Sequence, residues 1–356
     1  MAFEETVFLT GFPGFIAGRL VGRLAAEGAR FLLLVQPAFV ERAHRDIAQL
    51  VEKTGAHASR FRLLEGDITL EDLGLSPADL EAARAETTTI FHLAAIYDLG
   101  VRRDIAFRVN VEGTRNVNGL ARSIKNLRRY HYVSTCYVAG RRTGVIRENE
   151  LRHDAGFRNF YEETKYLAEL EVDALKSELP VTVHRPAVVC GDSRTGETVK
   201  YDGIYYLIQY LRMFPRALSL ANIGNSQVRL NVVPIDFIVE ALAALATDER
   251  AVGATVQLAD PAPLTTRELF DVIAKNLAGR PSLLTIPAPI VRTTLSIPLN
   301  EKVTKLPRVG VPYFFLKQTY DTARAQELLE PHGVRCPRLP DYVPALLEFV
   351  ERHPKL

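Results

Sequence analysis

Short apolar runs alternate with amphipathic stretches through the first two thirds of the chain. Thr6 to Thr10 is an apolar run ending in a glycine-containing turn, after which Ala17, Leu20, Val21 and Leu24 recur at helical spacing. Phe31 to Val35, Arg60 to Glu65 and Thr88 to Leu93 read as three further buried strands. Gly113, Val117, Leu120, Ala121 and Ile124 share one helical face ahead of a strand from Tyr130 to Val133. Leu167, Leu170, Ala174 and Leu175 line the next helix, before a strand from Val181 to His184. Strands apolar on both faces and joined by helices predict right-handed βαβ units. The expected fold class is therefore α/β, with a doubly wound parallel sheet.

Beyond about residue 190 the alternation loosens. Gly191 to Gly203 is polar and reads as a loop, and Thr265-x-x-Glu268 has the form of a capping box opening a helix with Leu269, Val272 and Ile273 on one face. Pro281 to Pro312 carries six prolines and little periodicity, which suits a segment wrapping over an apolar pocket. The tail, Asp341 to Glu351, is again helical in pattern. The expected organisation is a nucleotide-binding domain over 1–190, with returning segments from about 226–260. A smaller, discontinuous C-terminal substrate lobe would occupy 191–356.

Charge and cysteine content narrow the function. With 44 basic against 42 acidic residues the net charge is only +2, a poor basis for binding nucleic acid by phosphate neutralisation. Three widely spaced cysteines, Cys136, Cys190 and Cys336, make neither a disulfide framework nor a zinc site. No basic region followed by an apolar run opens the chain, and no apolar stretch is long enough to span a bilayer. The expectation is a cytoplasmic protein without a membrane span or a metal.

The first strand runs into Thr10-Gly11-Phe12-Pro13-Gly14-Phe15-Ile16-Ala17. Glycine is needed where a chain turns tightly and its backbone approaches a pyrophosphate. The helix that follows offers free N–H groups and a positive dipole end to that anion. The third small position is Ala17, which still permits close helix–strand packing. The second strand ends in Val35-Gln36-Pro37, without a carboxylate for a ribose 2′-hydroxyl, and Arg42 follows. A missing carboxylate with a nearby arginine favours NADPH, with NADH as the other choice; the plain alternative for Arg42 is a solvated helix residue. Asp67, in Gly66-Asp67-Ile68-Thr69, is placed to accept from an adenine amino group. His92-Leu93-Ala94-Ala95 supplies small residues for a cofactor to lie across, with His92 itself read as a packed core histidine.

Tyr161-Glu162-Glu163-Thr164-Lys165 puts a phenol and an ammonium four residues apart on one helix face. A neighbouring cation favours the phenolate and is expected to lower the tyrosine pKa. The strand before this helix ends Val133-Ser134-Thr135, whose hydroxyl can hold a carbonyl oxygen for protonation.

The segments TGFPGFIA, GDIT, HLAA, NVEGT, VSTCYVAG, YEETK and HRPAVVCGD follow in that order. Together they resemble the extended branch of the short-chain dehydrogenase/reductase superfamily, whose nucleotide domain is a Rossmann fold. The resemblance covers nearly the whole chain, most closely to about residue 205. It implies Tyr161 as the general acid, Lys165 lowering its pKa and binding ribose hydroxyls, and Thr135 orienting the carbonyl. Asn110, in Asn110-Val111-Glu112-Gly113-Thr114, matches an asparagine that supports the lysine. Arg185-Pro186 ends a strand passing under the nicotinamide, which Pro186, Ala187, Val188 and Val189 would line. Asp236 matches a structural aspartate that opens a later helix.

Within that superfamily, Leu64-Glu65-Gly66-Asp67-Ile68, Leu73-Gly74-Leu75-Ser76, Ile90 to Ala95 and Val133-Ser134-Thr135 resemble fatty acyl-CoA reductases and thioester-reductase domains. The implied reaction is hydride transfer to the carbonyl of a hydrophobic substrate, an acyl thioester or its aldehyde, delivered by CoA or a carrier protein. Those enzymes usually carry arginine where this chain has Gln36. Cys136-Tyr137 replaces the Asp-Glu pair of sugar-nucleotide dehydratases, which excludes that chemistry. A ketone or aldehyde reductase of dihydroflavonol or hydroxysteroid type, a sugar-nucleotide epimerase and a non-catalytic nucleotide-binding protein remain as alternatives. Tyr97, Cys136, Tyr137 and Tyr201 are the candidate substrate contacts, with a buried structural thiol the competing reading of Cys136. Family members often pair through the helix carrying the tyrosine and lysine, so a homodimer is also expected.

Overall fold

Why the apolar runs become strands is visible in their two-sided burial. Val7 and Leu9 face one core and Phe8 the other, as do Phe31 and Leu33 against Leu32 and Leu34. The computed structural model describes residues 3–287, 290, 293 and 310–356. Its strands, in chain order, are β1 (Thr6–Thr10), β2 (Arg30–Val35), β3 (Phe61–Glu65), β4 (Thr89–His92), β5 (Arg129–Val133), β6 (Gly144–Ile146) and β7 (Val181–Pro186). They continue with β8 (Val188–Cys190), β9 (Ala221–Asn222), β10 (Val232–Pro234), β11 (Thr255–Leu258), β12 (Leu284–Thr285) and β13 (Gln318–Tyr320).

Seven strands form one sheet in the order β11-β7-β5-β4-β1-β2-β3, and every neighbouring pair is parallel. The expected parallel, doubly wound sheet is therefore present. The chain proceeds outward from β1 in one direction through β2 and β3, then returns to β4 on the other side. That reversal opens a crevice beyond the carboxyl ends of β1 and β4, where open α/β sheets bind ligands.

Helices α1 (Phe15–Ala25), α2 (Val40–Thr54), α3 (Pro77–Glu86), α4 (Arg103–Ala106), α5 (Gly113–Ser123) and α6 (Phe160–Asp173) belong to this part of the chain. Leu20, Val21 and Leu24 of α1 pack on one face of the sheet; Val117, Leu120 and Ala121 of α5 and Ala168 and Val172 of α6 pack on the other. A π-helical turn, Phe107–Glu112, bridges α4 and α5 and carries Asn110.

Past β8 come α7 (Ile204–Met213), α8 (Pro215–Leu218), α9 (Ile235–Thr247) and α10 (Thr266–Ala278). Phe237, Ile238 and Leu242 of α9 join the α1 side of the sheet, and β11 becomes its edge strand. A separate core gathers Tyr205, Ile208 and Leu211 of α7, Phe270 and Ile273 of α10, and Tyr342, Leu346 and Val350 of the final helix, Leu339–Arg352. The capping box is formed: Glu268 N donates to Thr265 Oγ1 at 3.2 Å and Thr265 N to Glu268 Oε2 at 2.8 Å. Most of the proline-rich stretch from Pro281 to Pro312 lies outside the described residues. Among the described residues no helix is long and apolar enough to cross a membrane.

Three histidines are buried in the sheet, His92 at the end of β4 and His131 and His184 within β5 and β7. His131 Nδ1 meets His184 Nε2 at 3.0 Å, and burial lowers His92 and His184 to about 3 and His131 well below its ordinary value. Because these pKa values are depressed by folding, only the unfolded chain takes up their protons as pH falls below about 6.5. Stability should therefore decline from about pH 6.5 towards pH 3, by up to about 1.4 kcal/mol per pH unit for each histidine. Urea unfolding midpoints at pH 7.5, 6 and 5 check this; a midpoint level across that range rejects it.

Candidate active site

The β1–α1 turn lies against the end of β4. Gly11 has φ of +94°, and a Cβ there would stand 2.9 Å from Ala94 N and 3.0 Å from the Leu93 carbonyl carbon. At Gly14 a Cβ would lie 2.6 Å from Gly11 O. Both positions exclude a side chain, which leaves the turn's backbone open to a ligand at the crevice. Gly14 caps α1 without a side-chain hydrogen bond, so the N–H groups of Phe15 and Ile16 are available to an anion. These features fit a dinucleotide pyrophosphate. The third small position, Ala17, is buried against the sheet, as its size suggests.

Other predicted cofactor residues divide. Leu93, Ala94 and Ala95 beyond β4, Ala187 between β7 and β8, and Val188 and Val189 of β8 are partly exposed, whereas Pro186 is buried as the last residue of β7. Phe12 is 3% exposed and its side chain belongs to the core. Ile68 likewise turns inward, so close to Gly113 that a Cβ there would fall 2.7 Å from Ile68 Cδ1. Each side chain packs in a core cluster against the sheet. Gln36 Nε2 donates to Asp67 Oδ2 at 2.9 Å, while Asp67 Oδ1 accepts from Thr69 N at 2.8 Å. Arg42 is half-exposed on α2 and sits 3.6 Å from Asp46.

Tyr161 and Lys165 sit on one face of α6, but their side chains diverge. The Thr135 hydroxyl favours ionisation of the Tyr161 phenol, but burial is the larger effect and pushes that phenol above its ordinary value; the hydrogen bond that Thr135 Oγ1 makes is from Tyr137 N, at 3.2 Å. Lys165 Nζ instead donates to Tyr132 Oη at 2.8 Å and Val133 O at 2.9 Å, and lies 4.3 Å from the Tyr132 ring centroid. The expected lowering of the tyrosine by the lysine is thus not what this arrangement shows. Burial lowers the Lys165 ammonium to about 7, against an opposing attraction from Glu169. Asn110 does not contact Lys165; its Oδ1 accepts from Ile96 N at 2.9 Å and its Nδ2 donates to Thr164 Oγ1 at 3.0 Å. It ties the loop after β4 to α6, one residue before the lysine.

A connected set of buried groups lies beneath. Thr114 Oγ1 donates to Asn110 O at 2.6 Å, so it accepts from His92 Nε2 at 3.1 Å. His92 Nδ1 then accepts from Thr10 Oγ1 at 2.7 Å, and Thr10 Oγ1 accepts from Ala94 N at 3.1 Å. His92 is a packed core residue whose one tautomer fixes the loop against which Gly11 rests.

Of the candidate substrate contacts, two surround Tyr161. Tyr97 meets its ring edge to face at 5.1 Å, and Tyr137 packs in the same apolar cluster. Cys136 does not belong there. It is 1% exposed, its Sγ donates to Arg185 O at 3.1 Å, and burial pushes its thiol up. Tyr201 is also excluded, because its hydroxyl donates to His353 O at 2.6 Å within the C-terminal core. Asp236 does hold structure, accepting from Ser193 N at 2.9 Å and Ser193 Oγ at 2.6 Å. Sequence reasoning missed Tyr313, whose hydroxyl donates to Glu162 Oε1 at 2.6 Å and whose ring lies 4.6 Å from Tyr137. It missed Glu169 too, although the spacing of four from Lys165 was a usable signal.

The family described as male sterility protein, with an NAD-binding domain, matches residues 9–242, more than half of the chain. The chain belongs to that family. It is similar to fatty acyl-CoA reductase wat of Drosophila melanogaster, 25% identical over 69% of this chain and 54% of the relative. Fatty acyl-CoA reductase 1 of Arabidopsis thaliana is 22% identical over 81% of this chain and 73% of its own length. The chain spans about half the length of the Drosophila relative. In structure it is similar to the terminal R domain of the myxalamid PKS-NRPS pathway. That match has a TM-score of 0.82 at 24% identity and covers 100% of this chain and 92% of the domain. UDP-glucuronic acid 4-epimerase from Bacillus cereus, solved with NAD, shares the fold at a TM-score of 0.67 and 17% identity, covering 98% of this chain and 100% of the epimerase. In this male sterility protein family member, the motifs lie around the switch-point crevice.

Gly11→Ala tests the cradle. A methyl group there meets backbone atoms at 2.9 Å and needs a φ that alanine rarely adopts. NADPH affinity should fall by roughly tenfold or more, a loss on the order of 1.4 kcal/mol. Fluorescence titration of NADPH reads it, and unchanged affinity rejects the cradle.

Proposed function

We propose that this chain is an NADPH-preferring reductase acting on the carbonyl of a hydrophobic acyl thioester or of the aldehyde derived from it. The observation that supports this most is the burial of the Tyr161 phenol and the Thr135 hydroxyl past the carboxyl end of β5, at the sheet end that also carries the glycine turn after β1. A reduced nicotinamide, when bound, supplies the hydride.

The chain's own residues do the rest. A carbonyl oxygen accepting from Thr135 Oγ1 and Tyr161 Oη is polarised. As its carbon gains hydride, the phenol proton passes to the oxygen. Burial keeps Tyr161 protonated near neutrality, the state a general acid must start from. From a thioester the product is a hemithioacetal, whose collapse expels the thiol and leaves an aldehyde. Lys165 would hold the ribose hydroxyls of the bound cofactor. Asn110 positions the helix turn that presents the lysine.

The aromatic surroundings support an apolar substrate. Tyr97, Tyr137 and Tyr313 border Tyr161 or its neighbour, and behind them a cavity of about 10 Å³ is lined by Val188, Leu230, Leu316 and Tyr320 among others. A volume that holds no more than one water requires side chains to part before an acyl chain enters. The fatty acyl-CoA reductases among its relatives agree with this reading. Arg42 is assigned to the 2′-phosphate of NADPH, exchanging Asp46 for it.

Absorbance at 340 nm with a long-chain acyl-CoA, and separately with its aldehyde, tests the reaction. Oxidation of NADPH by neither overturns it. Tyr161→Phe should lower kcat by roughly 10²- to 10⁴-fold while NADPH affinity stays within about twofold; near-normal turnover removes the acid role. Arg42→Ala should raise the KM for NADPH about tenfold and leave that for NADH unchanged, since a lost phosphate contact is worth on the order of 1.4 kcal/mol. An unaltered preference removes that assignment.

A further inference from the structure

We propose that Glu169 is the positioning residue of this site, a single buried carboxylate that fastens the ends of β5 and β7 to α6 one helical turn beyond Lys165. The part concerning catalysis rests on the reductase reading above.

Glu169 is 1% exposed and lies one helical turn beyond Lys165, on the same face of α6. Its Oε1 accepts from Arg185 Nε at 2.8 Å and Arg185 Nη2 at 2.5 Å, while its Oε2 accepts from Ser134 Oγ. Ser134 immediately precedes Thr135. Arg185 immediately precedes the segment Pro186 to Val189. The carboxylate therefore touches the residue before the carbonyl-orienting hydroxyl and the residue before the predicted nicotinamide wall. Two further bonds lace the same strand ends together: Ser134 N donates to His184 O at 2.7 Å, and Cys136 Sγ donates to Arg185 O. Arg185 Nη1 donates to Glu148 O and Glu150 O, at 3.3 and 3.2 Å.

The electrostatic part follows from what faces Lys165. From β5 come the Tyr132 hydroxyl and ring and the Val133 carbonyl; from β4 comes His92, which burial keeps neutral. Glu169, on α6 itself, is the carboxylate that favours the ammonium against burial. Glu169 in turn faces Arg185 from β7, Ser134 just past β5 and the thiol of Cys136, and it acts on the Tyr132 hydroxyl. Removing its charge leaves Lys165 with neutral partners in a buried site.

Charge and shape can be separated at this position. Glu169→Gln keeps the length and drops the charge; Glu169→Asp keeps the charge and is one methylene short. The full chain, labelled with [ε-¹³C]lysine, gives the Lys165 titration by NMR, its signal assigned by loss in Lys165→Arg. Glu169→Gln should lower the Lys165 midpoint by roughly one pH unit, and the alkaline limb of kcat/KM should move with it. Activity then falls up to about tenfold above the midpoint and little below it. Glu169→Asp should leave the midpoint in place and lower kcat at every pH. If the Gln variant does not fold because Arg185 is left unpaired, the double variant Glu169→Gln/Arg185→Met is titrated instead, with the same downward shift expected. A midpoint that stays at its wild-type pH without the carboxylate overturns the proposal, whatever the activity. Failure of the wild-type chain to oxidise NADPH with either substrate overturns the reductase reading, and the NMR titration still reports on Glu169.

Discussion

Helix α6 has to bury charge in order to present a tyrosine to the crevice. Glu162, Lys165 and Glu169 are each 3% exposed or less, and each would be costly in that environment without a partner. Glu162 is met by Arg158 at 3.1 Å and by the Tyr313 hydroxyl, Lys165 by Tyr132 and the Val133 carbonyl, and Glu169 by Arg185 and Ser134. Those partners come from β5, β7, the loop before α6 and the segment around residue 313. Satisfying one helix therefore draws four separate parts of the chain to one place.

The same constraint explains the order of effects at Tyr161. Desolvation outweighs the opposing influence of the Thr135 hydroxyl, so the phenol is favoured over the phenolate. It also explains why burial lowers the Lys165 ammonium to about 7: its hydrogen-bond acceptors are neutral, and the attraction of Glu169 offsets burial only in part. A pair of groups spaced four apart on a helix need not interact with each other. Here each finds a different neighbour across the groove, the tyrosine at the end of β5 and the lysine behind it.

The crevice has a second fixed wall. The glycine turn can rest on the Leu93–Ala94 backbone because Gly11 lacks a side chain, and the Ala94 amide is itself held by the Thr10 hydroxyl above a neutral His92. The Thr114 hydroxyl extends this line to Asn110, whose amide side chain reaches the Ile96 amide and Thr164 on α6. Polar groups buried in such a chain are satisfied together or not at all, which keeps the cradle and the helix in fixed relation.

What the sequence determined by itself was whatever depends on local pattern. Apolar periodicity placed six of the seven strands of the main sheet to within two residues, the Thr265–Glu268 spacing formed its cap, and the glycines of the first turn announced a close backbone approach. Tyr161 and Thr135 were legible because their positions follow a strand end and a helix start. Side-chain direction was not legible, since it depends on which neighbours the fold supplies. Phe12 and Ile68 turned into the core, and Cys136 gave its thiol to the Arg185 carbonyl. Tyr201 bonded the C-terminal helix, while Lys165 reached past Tyr161 to β5. Glu169 and Tyr313 gained their meaning only from residues far away in sequence, because a buried charge is tolerated where tertiary structure brings its partner.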